Sequence, residues 1–291
     1  MKSIVILIDY FGAWPKWFPI FLASCKSNST VNWIIRTDCD IPPAPPSNVK
    51  FVATNYDSYV ENVSLHLGID FKPSSSYKIC DIRPMWGDIF YEDIKNYDYY
   101  GFGDLDVIYG DIRKFYTDDV LSHDAISSHV GILSGHLCLF RNVEALRMAY
   151  LKIPGWKDYL ENPESTRFDE DIYSSIFFQH NDTLAHSPPF RTYAKEQYST
   201  VFHPMHWHDG TAVHPDVWFW KDGMITNDRD GRGYLYLHLM NFQSMRWTSA
   251  ECREQHIPWK DNPDVLFALG GGESNGVQID WTGIRALSHT E

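Results

Sequence analysis

The sequence predicts an α/β protein with a doubly wound, mostly parallel sheet flanked by helices. Three observations carry this. Ser3 to Ile8 is an unbroken run of β-branched and aliphatic residues, the pattern of a strand buried on both faces. Trp17, Phe18, Phe21, Leu22 and Cys25 then recur at helical spacing. Val31 to Arg36 and Val49 to Ala53 follow as two more short strands. Strand, helix and strand in that order build a parallel sheet.

The later elements follow in order. The Pro-rich stretch Ile41 to Pro46 reads as a loop. Pro84 suits the first turn of a helix, where its missing N–H costs nothing, and Trp86, Ile89, Phe90 and Ile94 mark the buried side of that helix. Tyr99 to Phe102 reads as a strand that runs straight into Gly103-Asp104-Leu105-Asp106. Ala125 to Ser128, Leu137 to Phe140 and Tyr234 to Leu239 are further expected strands, and Asp169 to Phe178 an expected helix. After about Met245 the chain becomes polar and then glycine-rich at Gly270 to Gly272. The expected organisation is therefore one main domain over residues 1–245 and an extension over 246–291.

Composition narrows the function. The chain has 291 residues, 44% hydrophobic and 15% aromatic, and a formal charge of −13. That charge speaks against a nucleic-acid binder, which needs a basic field to neutralise phosphates. The five cysteines are scattered without a C-x-x-C pair, as expected of reduced structural thiols in the cytoplasm. The apolar run Ile4 to Ile8 is cut short by Asp9, too soon for a signal-peptide core, and no stretch reaches transmembrane length. The expectation is a cytoplasmic chain able to rest on the inner face of a membrane.

Asp104 and Asp106 flank Leu105, so in an extended segment both carboxylates share one side. Two such oxygen donors suit Mg²⁺ or Mn²⁺, which neutralise a diphosphate. The other reading is an exposed turn, but the apolar flanks Tyr99 to Gly103 and Val107 to Gly110 make unpartnered carboxylates costly there.

Lys78-x-x-Asp81, Arg83-Pro84 and the run from Tyr100 to Asp111 together resemble the GT-A glycosyltransferase-like proteins of bacterial surface-polysaccharide loci, over about the first four-fifths of the chain. The resemblance implies a GT-A (Rossmann-like) fold and transfer of a sugar from a nucleotide-diphosphate donor, UDP-linked, to a glycan or lipid-linked glycan such as capsule or lipopolysaccharide. It implies that Asp9, Tyr10 and Phe11 line the base and ribose site. Lys78 and Asp81 would meet the ribose, sugar or phosphates. Asp106 would be the principal metal ligand, Asp104 would contact ribose, sugar or metal, and His238 would be the third protein ligand. His238 lacks the Gly and Lys-Pro-Trp residues that follow it in glycogenin-like enzymes. His136 would bond a sugar hydroxyl, or else is a buried, satisfied histidine, and Arg246 would supply positive charge near the leaving phosphate.

Two further clusters remain open. Glu170 and Asp171, in Phe168 to Ile172, are candidates for the catalytic base, or else acidic residues that cap a helix. His203, His206, His208 and Asp209 read as a metal site, as a locally packed loop, or, with Trp207, Trp218 and Trp220, as a wall for an acceptor sugar. The rival functions are a non-catalytic carbohydrate-binding protein on the same fold and a sugar-nucleotide pyrophosphorylase. The second would carry a glycine-rich basic loop after the first strand, and Tyr10 to Trp14 is not one.

Overall fold

A computed structural model describes residues 1–178, 189–201, 206–243, 267–268 and 276–287. In chain order the strands begin with β1 (Ile4–Tyr10), β2 (Val31–Thr37), β3 (Val49–Ala53), β4 (Tyr99–Gly103), β5 (Val107–Tyr109), β6 (Ala125–Ser127), β7 (Leu137–Arg141) and β8 (Thr192–Ala194). They continue as β9 (Trp218–Lys221), β10 (Met224–Asn227), β11 (Tyr236–His238), β12 (Phe267–Ala268), β13 (Gly276–Asp280) and β14 (Gly283–Ala286). The chain divides into two compact units. The first takes Met1–Ala13, Ser29–Asp104 and Tyr116–Glu196; the second takes Trp14–Asn28, Leu105–Phe115 and Gln197–Glu291.

The first unit is the predicted α/β layer. Its described strands form a seven-stranded sheet in the order β3-β2-β1-β4-β7-β6-β8. The pairs β3–β2, β2–β1, β1–β4 and β6–β8 are parallel, while β7 is antiparallel to both neighbours. Both faces of β1 are buried: Val5 and Leu7 on one, Ile4, Ile6 and Ile8 on the other. Helix α1 (Phe18–Ser27) belongs to the second unit, and α2 (Tyr56–Leu67) packs in the core of the first. Asn55 caps it by accepting the Ser58 N–H at 2.8 Å, and Gly68 ends it at φ +61°. Its Tyr59, Val63 and Leu67 sit four residues apart and join Val5, Leu7 and Ile34 in the core. Gly101 lets β4 and β7 close, since a Cβ there would meet the Cys138 carbonyl at 1.9 Å.

Two expected elements take other forms. Pro84 lies inside a 3-10 helix, Ser76–Met85, and not in the first turn of a helix. Asp169 to Phe178, expected as one helix, is a single π-turn (Phe168–Ile172) followed by a 3-10 turn (Tyr173–Ile176).

The second unit contains a five-stranded sheet, β10-β9-β13-β14-β12, and the antiparallel pair β11–β5. Asp222 and Gly223, at φ +51° and +76°, close the β9–β10 hairpin with the two-residue turn that Asp-Gly favours. Residues 276–286, in the segment expected to be an extension, pair through β13 with β9. Trp207, Trp218 and Trp220 are buried in this unit's core beside Ile225, Leu237 and Val277. Among the described residues no helix is long and apolar enough to cross a membrane, and Cys39, Cys80 and Cys138 are free thiols.

Candidate functional site

The order β3-β2-β1-β4 sets the topological switch of the first unit between β1 and β4, and ligands of open α/β sheets bind outside the carboxyl ends of strands at such a point. The pairing directions place five functional groups on that one edge. Asp9 stands near the end of β1 and Asp104 directly after β4. His136 directly precedes the antiparallel β7, His129 follows β6, and Glu196 follows β8.

Arg83 organises the charges at the end of β4. It donates to Asp104, to Asp169 Oδ2 at 3.1 Å and to the Gly135 carbonyl at 2.9 Å, and is 9% exposed. Gly135 permits this packing, because a Cβ there would stand 2.9 Å from both Arg83 and Glu170. The Gly135 N–H donates to Glu170 Oε1 at 3.0 Å, and Glu170 Oε2 pairs with Arg167 at 2.9 Å. Asp171, half exposed, is held by the same arginine at 2.7 Å. Asp169 is buried, and that burial pushes its carboxyl up to about 7; Arg83 opposes the shift, while Glu170, Asp81 and Asp104 add to it. Glu170 and Asp171, the expected base candidates, are thus bound to Arg167 and a backbone N–H.

Lys78 and Asp81 are brought together, but inside the unit. Both side chains are fully buried, and Lys78 Nζ donates to Asp81 Oδ2 at 2.8 Å and to the Tyr159 carbonyl at 2.7 Å. Asp81 also accepts from Ser165 Oγ, Thr166 N, Thr166 Oγ1 and Phe168 N. The pair pins the segment leading into the π-turn, and the expected contact with ribose or phosphate has no exposed atom to serve it. Asp9 is also buried: its Oδ1 lies 3.2 Å from Arg36, its Oδ2 has no hydrogen-bond partner among the described residues, and burial raises its carboxyl. The Tyr10 hydroxyl donates to the Ala13 carbonyl at 2.7 Å. Phe11 packs edge-on to Tyr56 with centroids 5.4 Å apart. Both rings remain partly exposed at the end of β1. His136 is 4% exposed, with its ring against Ser134 Oγ, and its carbonyl accepts the Asp104 N–H at 3.2 Å. Arg246 and His203 lie outside the described residues.

In the second unit Leu105 and Asp106 form a turn, not the extended segment expected. The Asp106 carbonyl accepts the Leu239 N–H at 2.6 Å, and β5 pairs with β11 so that Val107 faces His238. The two side chains are 10% and 9% exposed, with His238 Nε2 3.5 Å from Asp106 Oδ1. That spacing is too long for a good hydrogen bond, and Oδ1 has no hydrogen-bond partner among the described residues. Oδ2 accepts from Gln243 Nε2 at 3.3 Å, a residue no local motif marks. A buried carboxylate oxygen without a donor, facing an imidazole nitrogen, is what a divalent cation would satisfy, so these residues fit such an ion.

The aromatic and histidine loop of this unit is a packed structure. Trp207, Trp218 and Trp220 are 2%, 2% and 8% exposed, so the expected sugar-stacking wall is corrected to a core: these rings are covered by protein. His208 Nε2 lies 3.0 Å from Asp230, and Arg229 holds Asp209 at 2.6 Å. His206 is exposed.

Residues 5–261 match the family described as "Family of unknown function (DUF6625)", and the chain belongs to that family. No curated protein matches it. Among solved structures it is similar to the glycosyltransferase GlyE of Streptococcus pneumoniae TIGR4, at 16% identity and a TM-score of 0.27. The match covers 56% of this chain and 44% of that one, so the chain spans less than half the length of that structure.

Proposed function

We propose that this DUF6625 member is a metal-dependent glycosyltransferase that moves a sugar from a nucleotide-diphosphate donor, UDP-linked, to a bacterial surface glycan or its lipid-linked precursor. The observation that carries the reading is the buried Asp106–His238 pair, whose Asp106 Oδ1 has no hydrogen-bond partner among the described residues; Asp106 comes three residues after β4 in the chain. Asp104, two residues earlier in the chain, is the third proposed ligand, as the resemblance implies. A bound Mn²⁺ or Mg²⁺ would neutralise the diphosphate and stabilise charge developing on the leaving group. In a chain carrying −13, such an ion would help to screen a polyanionic donor.

The protein's own groups would do the rest. Tyr10 and Phe11, partly exposed at the end of β1, offer rings for a nucleobase. Arg83 holds Asp104 and Asp169 in place. Glu170 and Asp171 support the turn carrying Asp169. The enzyme would work in the cytoplasm, approaching a lipid-linked acceptor by its surface.

Nucleotide release is the test: UDP-glucose, UDP-galactose and UDP-N-acetylglucosamine, with and without Mn²⁺. Mn²⁺-dependent release of UDP supports the reading. Sugar binding without turnover would point to a carbohydrate-binding protein, and pyrophosphate-dependent formation of a nucleoside triphosphate to a pyrophosphorylase; either outcome would sink it.

A further inference from the structure

We infer that His129, oriented by Glu196, is the base that deprotonates the acceptor hydroxyl; this rests on the transferase reading above. His129 Nδ1 lies 2.8 and 3.0 Å from the two carboxylate oxygens of Glu196, 67 residues along the chain. An ionised carboxylate only accepts hydrogen bonds, so the neutral ring carries its proton on Nδ1 and keeps a lone pair on Nε2. Among the described residues no hydrogen bond engages Nε2. The His129 and Glu196 side chains are 26% and 19% exposed, sheltered yet open to a ligand.

The fold places this dyad where an acceptor would be met. His129 follows β6 and Glu196 follows β8, both at the carboxyl edge that carries Asp104. The His136 backbone binds Asp104, and its ring meets the His129 ring edge-on with centroids 5.1 Å apart. Two strand spacings separate β6 from β4, so the imidazole stands about 10 Å along the edge from the donor end. The loop is braced for it: Ser127 Oγ accepts the N–H of His129 and of Ser134 at 3.1 Å each, and donates to the Ile132 carbonyl at 2.8 Å. The acidic alternatives are occupied, since Asp169, Glu170 and Asp171 each pair with an arginine.

In the step, Nε2 takes the proton of the acceptor hydroxyl while that oxygen forms its bond to the anomeric carbon. The bond from that carbon to the diphosphate oxygen breaks, and its electron pair leaves with the nucleoside diphosphate. The imidazolium then returns the proton to water. One displacement inverts the anomeric configuration. His129 is the catalytic residue and Glu196 the positioning residue.

The test follows transfer from UDP-glucose, UDP-galactose or UDP-N-acetylglucosamine with Mn²⁺ to water and to methyl glycosides, alongside donor binding. His129→Ala and His129→Gln should lower kcat at least about 100-fold and leave donor affinity within about twofold. Added imidazole should restore part of the His129→Ala rate, which a merely structural histidine would not allow. Glu196→Gln should lose less and gain nothing from imidazole. Independently of activity, ¹⁵N NMR of the folded wild type should show the Nδ1–H tautomer at His129, altered in Glu196→Gln. A His129→Gln enzyme with unchanged kcat, a retained anomeric configuration, or an Nε2–H tautomer would overturn the dyad and leave the transferase reading standing. A wild type that neither binds nor turns over any of these donors would remove that reading, and the dyad with it.

Discussion

Two buried pairs, one in each unit, differ in how far their polar atoms are filled. Lys78 and Asp81 are fully buried, and Asp81 accepts five hydrogen bonds, from the lysine, Ser165, Thr166 twice and Phe168. Asp106 and His238 are almost as buried, yet Asp106 Oδ1 has no hydrogen-bond partner among the described residues. Burying a carboxylate is costly, and the cost is recovered only when its lone pairs are filled. The saturated pair is complete as protein. The unsaturated one turns an open carboxylate oxygen toward an imidazole nitrogen, a donor set that suits a divalent cation.

Mutations should divide along the same line. The largest effect is expected at the saturated pair: Asp81→Ala or Lys78→Ala leaves a buried charge unpaired and should cost about 3–5 kcal/mol in urea unfolding, with Mn²⁺ present or absent. At the open pair the stability effect should depend on the ion. Mn²⁺ at 100 times its dissociation constant should stabilise the wild type by about 2.7 kcal/mol, read as a rise in Tm, and His238→Ala should lose that rise. An Asp81→Ala variant as stable as wild type would break the comparison from one side, and a Tm rise retained in His238→Ala would break it from the other.

Asp169 lies between these extremes, buried but partnered by Arg83. Its carboxyl is raised from 3.8 to about 7, so between those values the folded chain holds a proton that the unfolded chain has released. Stability from this group is therefore greatest at low pH and declines as pH rises through that window. Asp169→Asn should remove that decline, flattening the fall in unfolding free energy between about pH 4 and 7 relative to wild type. An unchanged slope would show that Arg83 keeps Asp169 ionised. The smallest effect is expected at Arg167, whose partner Asp171 is half exposed. The contribution of that exposed pair should be no more than about 1 kcal/mol, measured by a double-mutant cycle.

The sheet of the first unit was largely legible because its central strands are written as mostly apolar runs: Ile4 to Ile8, Val31 to Arg36 and Tyr99 to Phe102 all appear as strands. The second unit was not, because its sheet is built from short strands paired across long stretches of chain. Asp222-Gly223 marks its hairpin locally, but the pairing of β9 with β13, some 55 residues on, has no local signature. At the site, motif spacing pointed to Asp104, Asp106 and His238. Spacing does not tell whether a charged side chain faces a ligand or another residue, which is why Lys78 and Asp81 read as binding groups and pack as a lock. Arg83 stood beside them in the same motif, and only its three contacts show its part. His129 and Glu196 are brought together by strand order alone.

Isothermal titration of the metal-free protein with MnCl₂ tests the central claim most directly. The wild type should bind one Mn²⁺, Asp106→Ala should bind none, and Asp171→Ala should bind as the wild type does. Unchanged Mn²⁺ affinity in a folded Asp106→Ala protein would contradict the account.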